Sequence, residues 1–222
     1  MKSILSHIGL LLMMLANGLQ HTIAQKTITE ATLKYQVNAK TYNGSDSVKL
    51  SADGASYTVY IKDNQTRSDF SNRYGNETVI YDKGTGQGVL MKSYGAQHLL
   101  YNMNQQNWND HISSLYLLQF KEGGEREVVN NMSCKIAIAN LGQGKRIMVY
   151  YNPEIVLANN QYGLSFKQLN GLPVKIIKIS GRDTYEYALS SIIYDQIAMT
   201  QFNSPKSGFR VMAYEEAKKS EQ

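Results

Sequence analysis

Short apolar runs separated by tight-turn residues constrain this chain more than any other feature, and they are clearest across residues 131–179. Two such runs, 133–140 and 145–151, flank Leu141-Gly142-Gln143-Gly144. Runs this short, with period-two alternation and a glycine-bearing link, predict an antiparallel hairpin rather than helices. A polar, tyrosine-bearing connection follows, and Gly171-Leu172-Pro173 then leads into a third run, 174–179. Gly171 is expected to take positive φ and Pro173 to fix φ, together aiming the chain back into the sheet. Strict alternation puts Cys134, Ile136 and Ile138 on one face and Lys135, Ala137 and Ala139 on the other. The run 145–151 is apolar on both faces, which predicts a strand covered on both sides.

The same rhythm extends along the rest of the chain. Residues 27–39, 55–62, 66–71, 77–82, 89–93, 96–104 and 184–193 all read as strands. Turn chemistry separates them: Asp63-Asn64, the glycine-rich 83–88, and Gly181-Arg182-Asp183. Residues 42–53 read as a loop or ragged hairpin, and 202–214 as a loop. The one ambiguous run is 111–120, HISSLYLLQF, either a strand or a short helix capped by Asp110 and ended by Gly123-Gly124. As a helix it places Ile112, Leu115, Tyr116 and Gln119 on one face. Only 3 prolines interrupt the chain, which suits long strands. The prediction is all-β with minor α: roughly ten strands in a curved antiparallel sheet or half-barrel, with at most one short helix plugging it. Residues 25–214 form one domain, and 215–222 a charged tail.

Residues 1–24 carry a basic start at Lys2, an apolar centre and a small-residue exit at Thr22-Ile23-Ala24. That is the pattern of a cleavable signal peptide, with cleavage expected after Ala24 and an uncleaved anchor as the alternative. The apolar centre is short of the ~20 residues that span a bilayer, so no transmembrane segment is expected after signal removal. With no cysteine near the cleavage point, there is no thiol for a lipoprotein anchor. The expected location is periplasmic or secreted. The formal charge of +5 is dispersed and forms no basic stripe, so nucleic acid is not an expected partner.

Catalytic patterns are missing from the sequence. His98, His111 and Cys134 lack metal-ligand spacing, and the single cysteine reads as a small buried hydrophobe. There is no G-x-S-x-G elbow. Gly84, Gly86 and Gly88 lack the lysine and helix of a phosphate cradle. No metal, no cofactor and no enzyme activity are expected.

The order Cys134-Lys135, Gly144-Lys145-Arg146, Tyr150-Tyr151-Asn152-Pro153-Glu154, Tyr162-Gly163-Leu164 and Gly171-Leu172-Pro173 resembles the GLPGLI family of exported envelope proteins. It is also similar to families of the LolA-like superfamily. The likeness covers about fifty residues closely. It departs from the family signature at Val174-Lys175-Ile176, where Gly-Leu-Ile would stand. The resemblance implies a half-open β-barrel of LolA/LolB type with a helical lid, and a lipid or lipoprotein ligand. It assigns no catalytic residue.

The 16 tyrosines have two explanations. Tyrosine favours strands generally, or some of them wall a concave apolar cavity with a polar rim. On the second, the candidate wall is Tyr60, Val79, Tyr81, Leu99, Tyr101, Ile136, Ile138, Met148 and Tyr150, with Ile112, Leu115 and Tyr116 as the lid. The expected function is non-catalytic carriage of an apolar or lipid-like ligand, such as a lipid or lipoprotein acyl chain. The alternative is an envelope interaction module docking an outer-membrane protein through residues 96–120, read as asparagine-rich with exposed aromatics.

Overall fold

The computed structural model describes residues 25–219. The expected signal peptide, residues 1–24, and the last part of the tail, 220–222, lie outside the described residues. The first half is a run of strands: β1 (Lys26–Ile28), β2 (Glu30–Asn43), β3 (Asp46–Lys49), β4 (Ser56–Lys62), β5 (Gln65–Asn72), β6 (Gly75–Asp82), β7 (Gln87–Tyr94) and β8 (Gln97–Met103). Helix α1 (Gln105–Tyr116) follows. The second half holds β9 (Lys121–Val129), β10 (Met132–Gly142), β11 (Lys145–Asn152), β12 (Ile155–Leu157), β13 (Leu172–Ser180), β14 (Asp183–Ile193), β15 (Arg210–Met212) and α2 (Tyr214–Lys219).

Among the described residues these strands make one 13-stranded sheet, ordered β15-β8-β7-β6-β5-β4-β2-β14-β13-β11-β10-β9, with β3 attached to β2. Its ladders are antiparallel except β15 with β8. The sheet is curved and does not close: β9 and β15 are its two edges. β1 and β12 pair separately and in parallel. This is the all-β, half-open architecture that the strand rhythm predicts, with the short helix α1 and a second, shorter one, α2, on its inner side.

Alternation sets the inner face. Ala31, Leu33, Tyr35, Val37 and Ala39 of β2 are all buried, as are Tyr57, Val59 and Ile61 of β4. On the other side of β2 the inner residues are Val149 and Tyr151 of β11, Val174 and Ile176 of β13, and Leu189 of β14. The connection at 158–171 lies in the trough of the sheet, burying Tyr162, Leu164, Phe166 and Leu169 against these strands. Each such large side chain contributes about 1.5–3 kcal/mol by leaving water. The polar connection seen in the sequence is therefore a plug, and it occupies much of the concave space.

The β5–β8 end is covered on both faces. Inside, α1 and α2 bring Trp108, Ile112, Tyr214 and Ala217 onto Val79, Tyr81, Leu90, Tyr101 and Met103. Outside, Ile197 and Phe202 of the C-terminal crossing segment pack on Ile80, Met91 and Leu100. A clamp holds that segment: the Ile197 N–H donates to Glu30 Oε1 at 2.6 Å, and Lys62 Nζ donates to the Ile197 carbonyl at 2.7 Å and to Glu30 at 2.9 Å. These bonds hold the Glu30 carboxyl below the usual carboxylate range, the Ile197 N–H most of all.

Several expectations are corrected. The ambiguous run is helical only as far as Tyr116; the helix starts earlier, at Gln105, and Asp110 does not cap it. Asn104 accepts from the Asn107 N–H at 2.9 Å, and Asn107 returns the bond to the Asn104 N–H at 3.2 Å. Gly123-Gly124 does not end the helix; it lies inside β9. Residues 42–53 are the hairpin and not the loop: the end of β2 turns back and pairs with β3. The charged tail, expected to be frayed or briefly helical, begins as α2, anchored by buried Tyr214 and Ala217. A register shift between Lys135 and Ala137 changes the phase of β10. Cys134 is consequently buried with Ala137 and Ala139, while Ile136 and Ile138 are half-buried or lie on the other face of the ladder. In β11, Ile147, Val149 and Tyr151 are buried inside, and Met148 and Tyr150 outside are half-buried. Gly171 does not adopt positive φ. Its requirement is close approach: a Cβ there would stand 2.5 Å from the Asn152 carbonyl oxygen and 2.5 Å from the Tyr151 ring.

Candidate functional site

Between the inner face, α1 and the plug there is a cavity of about 340 Å³. Its walls come from β4 (Tyr57), β5 (Ser68, Phe70), β6 (Glu77, Val79), β13 (Lys178) and β14 (Tyr187). Trp108 and His111 of α1 and Gly163-Leu164 of the plug close it, and Tyr94 stands at its rim. Alternation explains the sheet contribution. Tyr57 pairs with Phe70, Phe70 with Glu77, and Ser68 with Val79, so all point to one face.

Tyrosines build the floor. Tyr35 and Tyr57 meet edge to face at 6.3 Å, and Tyr57 and Tyr187 at 6.2 Å, the arrangement aromatic quadrupoles favour. The Tyr35 hydroxyl donates to the Pro173 carbonyl at 2.9 Å and bonds Tyr162 of the plug. Ser68 and the Gly163 backbone bond the Tyr57 hydroxyl. Burial raises the pKa of Tyr35, Tyr57, Tyr162 and Tyr187 above the ordinary phenol value, so these hydroxyls stay neutral. A Cβ on Gly163 would stand 3.1 Å from the Tyr57 oxygen, which makes glycine the natural residue where the plug crosses the floor.

The roof is tied to the plug. Trp108 stacks on Tyr81 at 4.2 Å with the rings 10° apart. Its Nε1 donates to Gln161 Oε1 at 2.8 Å. The Gln161 carbonyl in turn accepts from Thr66 at 2.6 Å. Helix, plug and sheet are therefore joined through one residue of the connection.

One charge stands out in the cavity. Lys178 continues the inner phase of Val174 and Ile176, and its ammonium lies 5.1 Å from the Tyr187 ring centroid. Burial pushes its pKa down to about 8. Glu77 also reaches the cavity, but it faces Lys92 across the ladder at 3.7 Å.

The structure separates the nine candidate wall residues. Val79 lines the cavity. Tyr81 and Tyr101 are buried beside it under α1 and α2, with Leu99 half-buried in the same cluster. Tyr60 lies on the opposite face, packed with the C-terminal crossing segment. Ile136, Ile138, Met148 and Tyr150 lie on β10 and β11 away from the cavity, where Ile136 pairs with Tyr150 and Ile138 with Met148. Of the lid residues, Ile112 is buried over the Val79–Tyr101 cluster and Leu115 packs on the main core. The side chain of Tyr116 lies outside the described residues. The helix side chains that reach the cavity are Trp108 and His111, one turn earlier.

Sequence reasoning missed Tyr57, Ser68, Phe70, Glu77, Lys178 and Tyr187 of the sheet, Trp108 and His111 of α1, and the plug. A signal for Lys178 was present: a charged residue in phase with Val174 and Ile176. Of the aromatics of residues 96–120 expected to dock a partner, Tyr101 and Trp108 are buried and Phe120 is half-buried. Trp108 and Tyr101 are 2% accessible. Among the described residues no helix is long and apolar enough to cross a membrane.

No family model and no curated protein matches the chain, so the GLPGLI resemblance rests on its motif residues. Solved structures are similar at low identity. An uncharacterized conserved protein from Thermus thermophilus is 7% identical with a TM-score of 0.49, the match covering 84% of this chain and 91% of that one. PNGF-II is 12% identical with a TM-score of 0.48 over 85% of this chain; the match spans only 33% of PNGF-II. A LolA superfamily protein from Nitrosomonas europaea is 10% identical with a TM-score of 0.34, covering 79% of this chain and 90% of that one. Likeness at this level brings no residue role and no ligand to this chain.

Proposed function

We propose that this protein is an exported, non-catalytic envelope protein that binds or carries an apolar or lipid-like ligand in the cavity beneath α1. The observation that carries the reading is the cavity itself. It falls within the range of ~300–1,000 Å³ usual for small-molecule sites. Its walls combine Phe70, Val79, Trp108 and Leu164 with a few convergent polar groups. The signal-like segment at 1–24 supports export. Binding is favoured over catalysis because the serine lining the cavity, Ser68, is bonded to Tyr57. A phenol whose acidity burial suppresses is no general base.

The test is titration with the neutral fluorescent probe N-phenyl-1-naphthylamine, alongside native mass spectrometry of protein purified without detergent. Saturable one-to-one binding is expected, weakened by Val79→Trp or by the milder Phe70→Trp, each of which fills the cavity. Absence of binding, or binding that both filled variants leave unchanged, contradicts the reading.

A further inference from the structure

The cavity contains a cation with no counter-ion. Among the described residues the Lys178 ammonium has no hydrogen-bond acceptor and no ion-pair partner; its one polar contact is the face of Tyr187. The contrast with Lys175, three residues earlier on the outer face, is direct: that lysine pairs with Glu186 at 3.2 Å. Across the ladder Lys178 meets Tyr185, not an acid. The carboxylate nearest in function, Glu77, is balanced by Lys92. Lys178 is half-buried, and an ammonium partly withdrawn from water without an acceptor is costly.

Groups around Lys178 fit an anion. The neutral hydroxyls of Tyr57 and Tyr187 line the same space, and a charged acceptor makes the strongest bonds to such donors. The remaining wall, Phe70, Val79, Trp108 and Leu164, is apolar. At about 340 Å³ the space is at the small end for ligand sites, which favours one chain over a multi-chain lipid. We propose that the ligand is a single-chain anionic amphiphile, with its carboxylate or phosphate head on Lys178 and its tail along the aromatic wall under α1. This rests on reading the cavity as the ligand site, and it names the ligand class.

The test is calorimetry of the mature protein with dodecanoate, dodecyl phosphate and dodecanol, using wild type, Lys178→Met and Lys178→Arg. Wild type is expected to bind at least one of the two anions about tenfold or more tightly than the alcohol, as a charge-assisted bond provides. The stronger of the two identifies the head. Lys178→Met should lose that preference and keep dodecanol binding, and Lys178→Arg should retain the preference. Equal binding of anions and alcohol by wild type overturns the proposal while leaving the cavity reading intact, as does a preference that survives Lys178→Met. Binding of none of the three overturns both.

Discussion

Gly171 and Cys134 show how single positions carry the fold. The glycine of Gly171-Leu172-Pro173 lies against the Asn152 carbonyl and the Tyr151 ring, so no side chain fits without moving backbone. Gly171→Ala should destabilise the protein by about 1–3 kcal/mol or more, read as a lower denaturant midpoint at constant slope; an unchanged midpoint contradicts the close approach. Cys134 is fully buried, and burial pushes its thiol up to about 11. It should react with a thiol reagent only as fast as the protein unfolds; rapid labelling of the native protein would rule that out. Lys178 sets a pH dependence. Its pKa falls from an ordinary 10.5 to about 8, so the folded state binds fewer protons than the unfolded one between those values. The contribution is therefore fully present above 10.5 and lost as pH falls through about 8. The other groups on the cavity are Glu77 with Lys92 beside it, His111, Tyr94, and Tyr57 and Tyr187, which burial keeps neutral. Lys178→Met should raise the denaturant midpoint of the empty protein at neutral pH and flatten its rise between pH 8 and 10.5.

At the scale of elements, legibility followed exposure. Strands with one buried face, such as β2 and β4, announce themselves by alternation. β9 does not: nearly every residue of KEGGEREVV is exposed, so no apolar period marks it, and its glycines read as a break. The start of α1 was hidden because asparagine stands at both ends of its capping pair, Asn104 and Asn107, where Glu or Gln is the usual third-position signal. The plug was hardest to read. Its buried Tyr162, Leu164, Phe166 and Leu169 follow no period that the sequence reading used, because a loop in a trough packs by shape. Trp108→Phe keeps a ring on Tyr81 but leaves Gln161 Oε1 without its donor, a loss of about 1–3 kcal/mol. Faster amide exchange across 159–169, with β2 and β14 unchanged, is the expected result. Unaltered exchange in the plug would mean the helix does not hold it.

The whole molecule is a sheet bent around its own connection. β2 and β14 form its middle, hairpins extend from them on both sides, and the two edges never meet. That much follows from turn chemistry and alternation. What the sequence hides is that two segments far apart in the chain, 158–171 and α1, share the concave side and leave a residual space between them. Inward and outward faces of β10 and β11 were also unreadable, because both carry apolar residues and a register shift resets the phase.

That residual space is the central claim. Trp108, the sole tryptophan, forms part of its wall, so titrating the mature protein with dodecanoate while following intrinsic fluorescence reads it most directly. The account predicts a saturable change at one equivalent, abolished by Val79→Trp when that variant's own added signal is subtracted. A titration that stays flat in a folded protein with dodecyl phosphate and dodecanol as well as dodecanoate would contradict it.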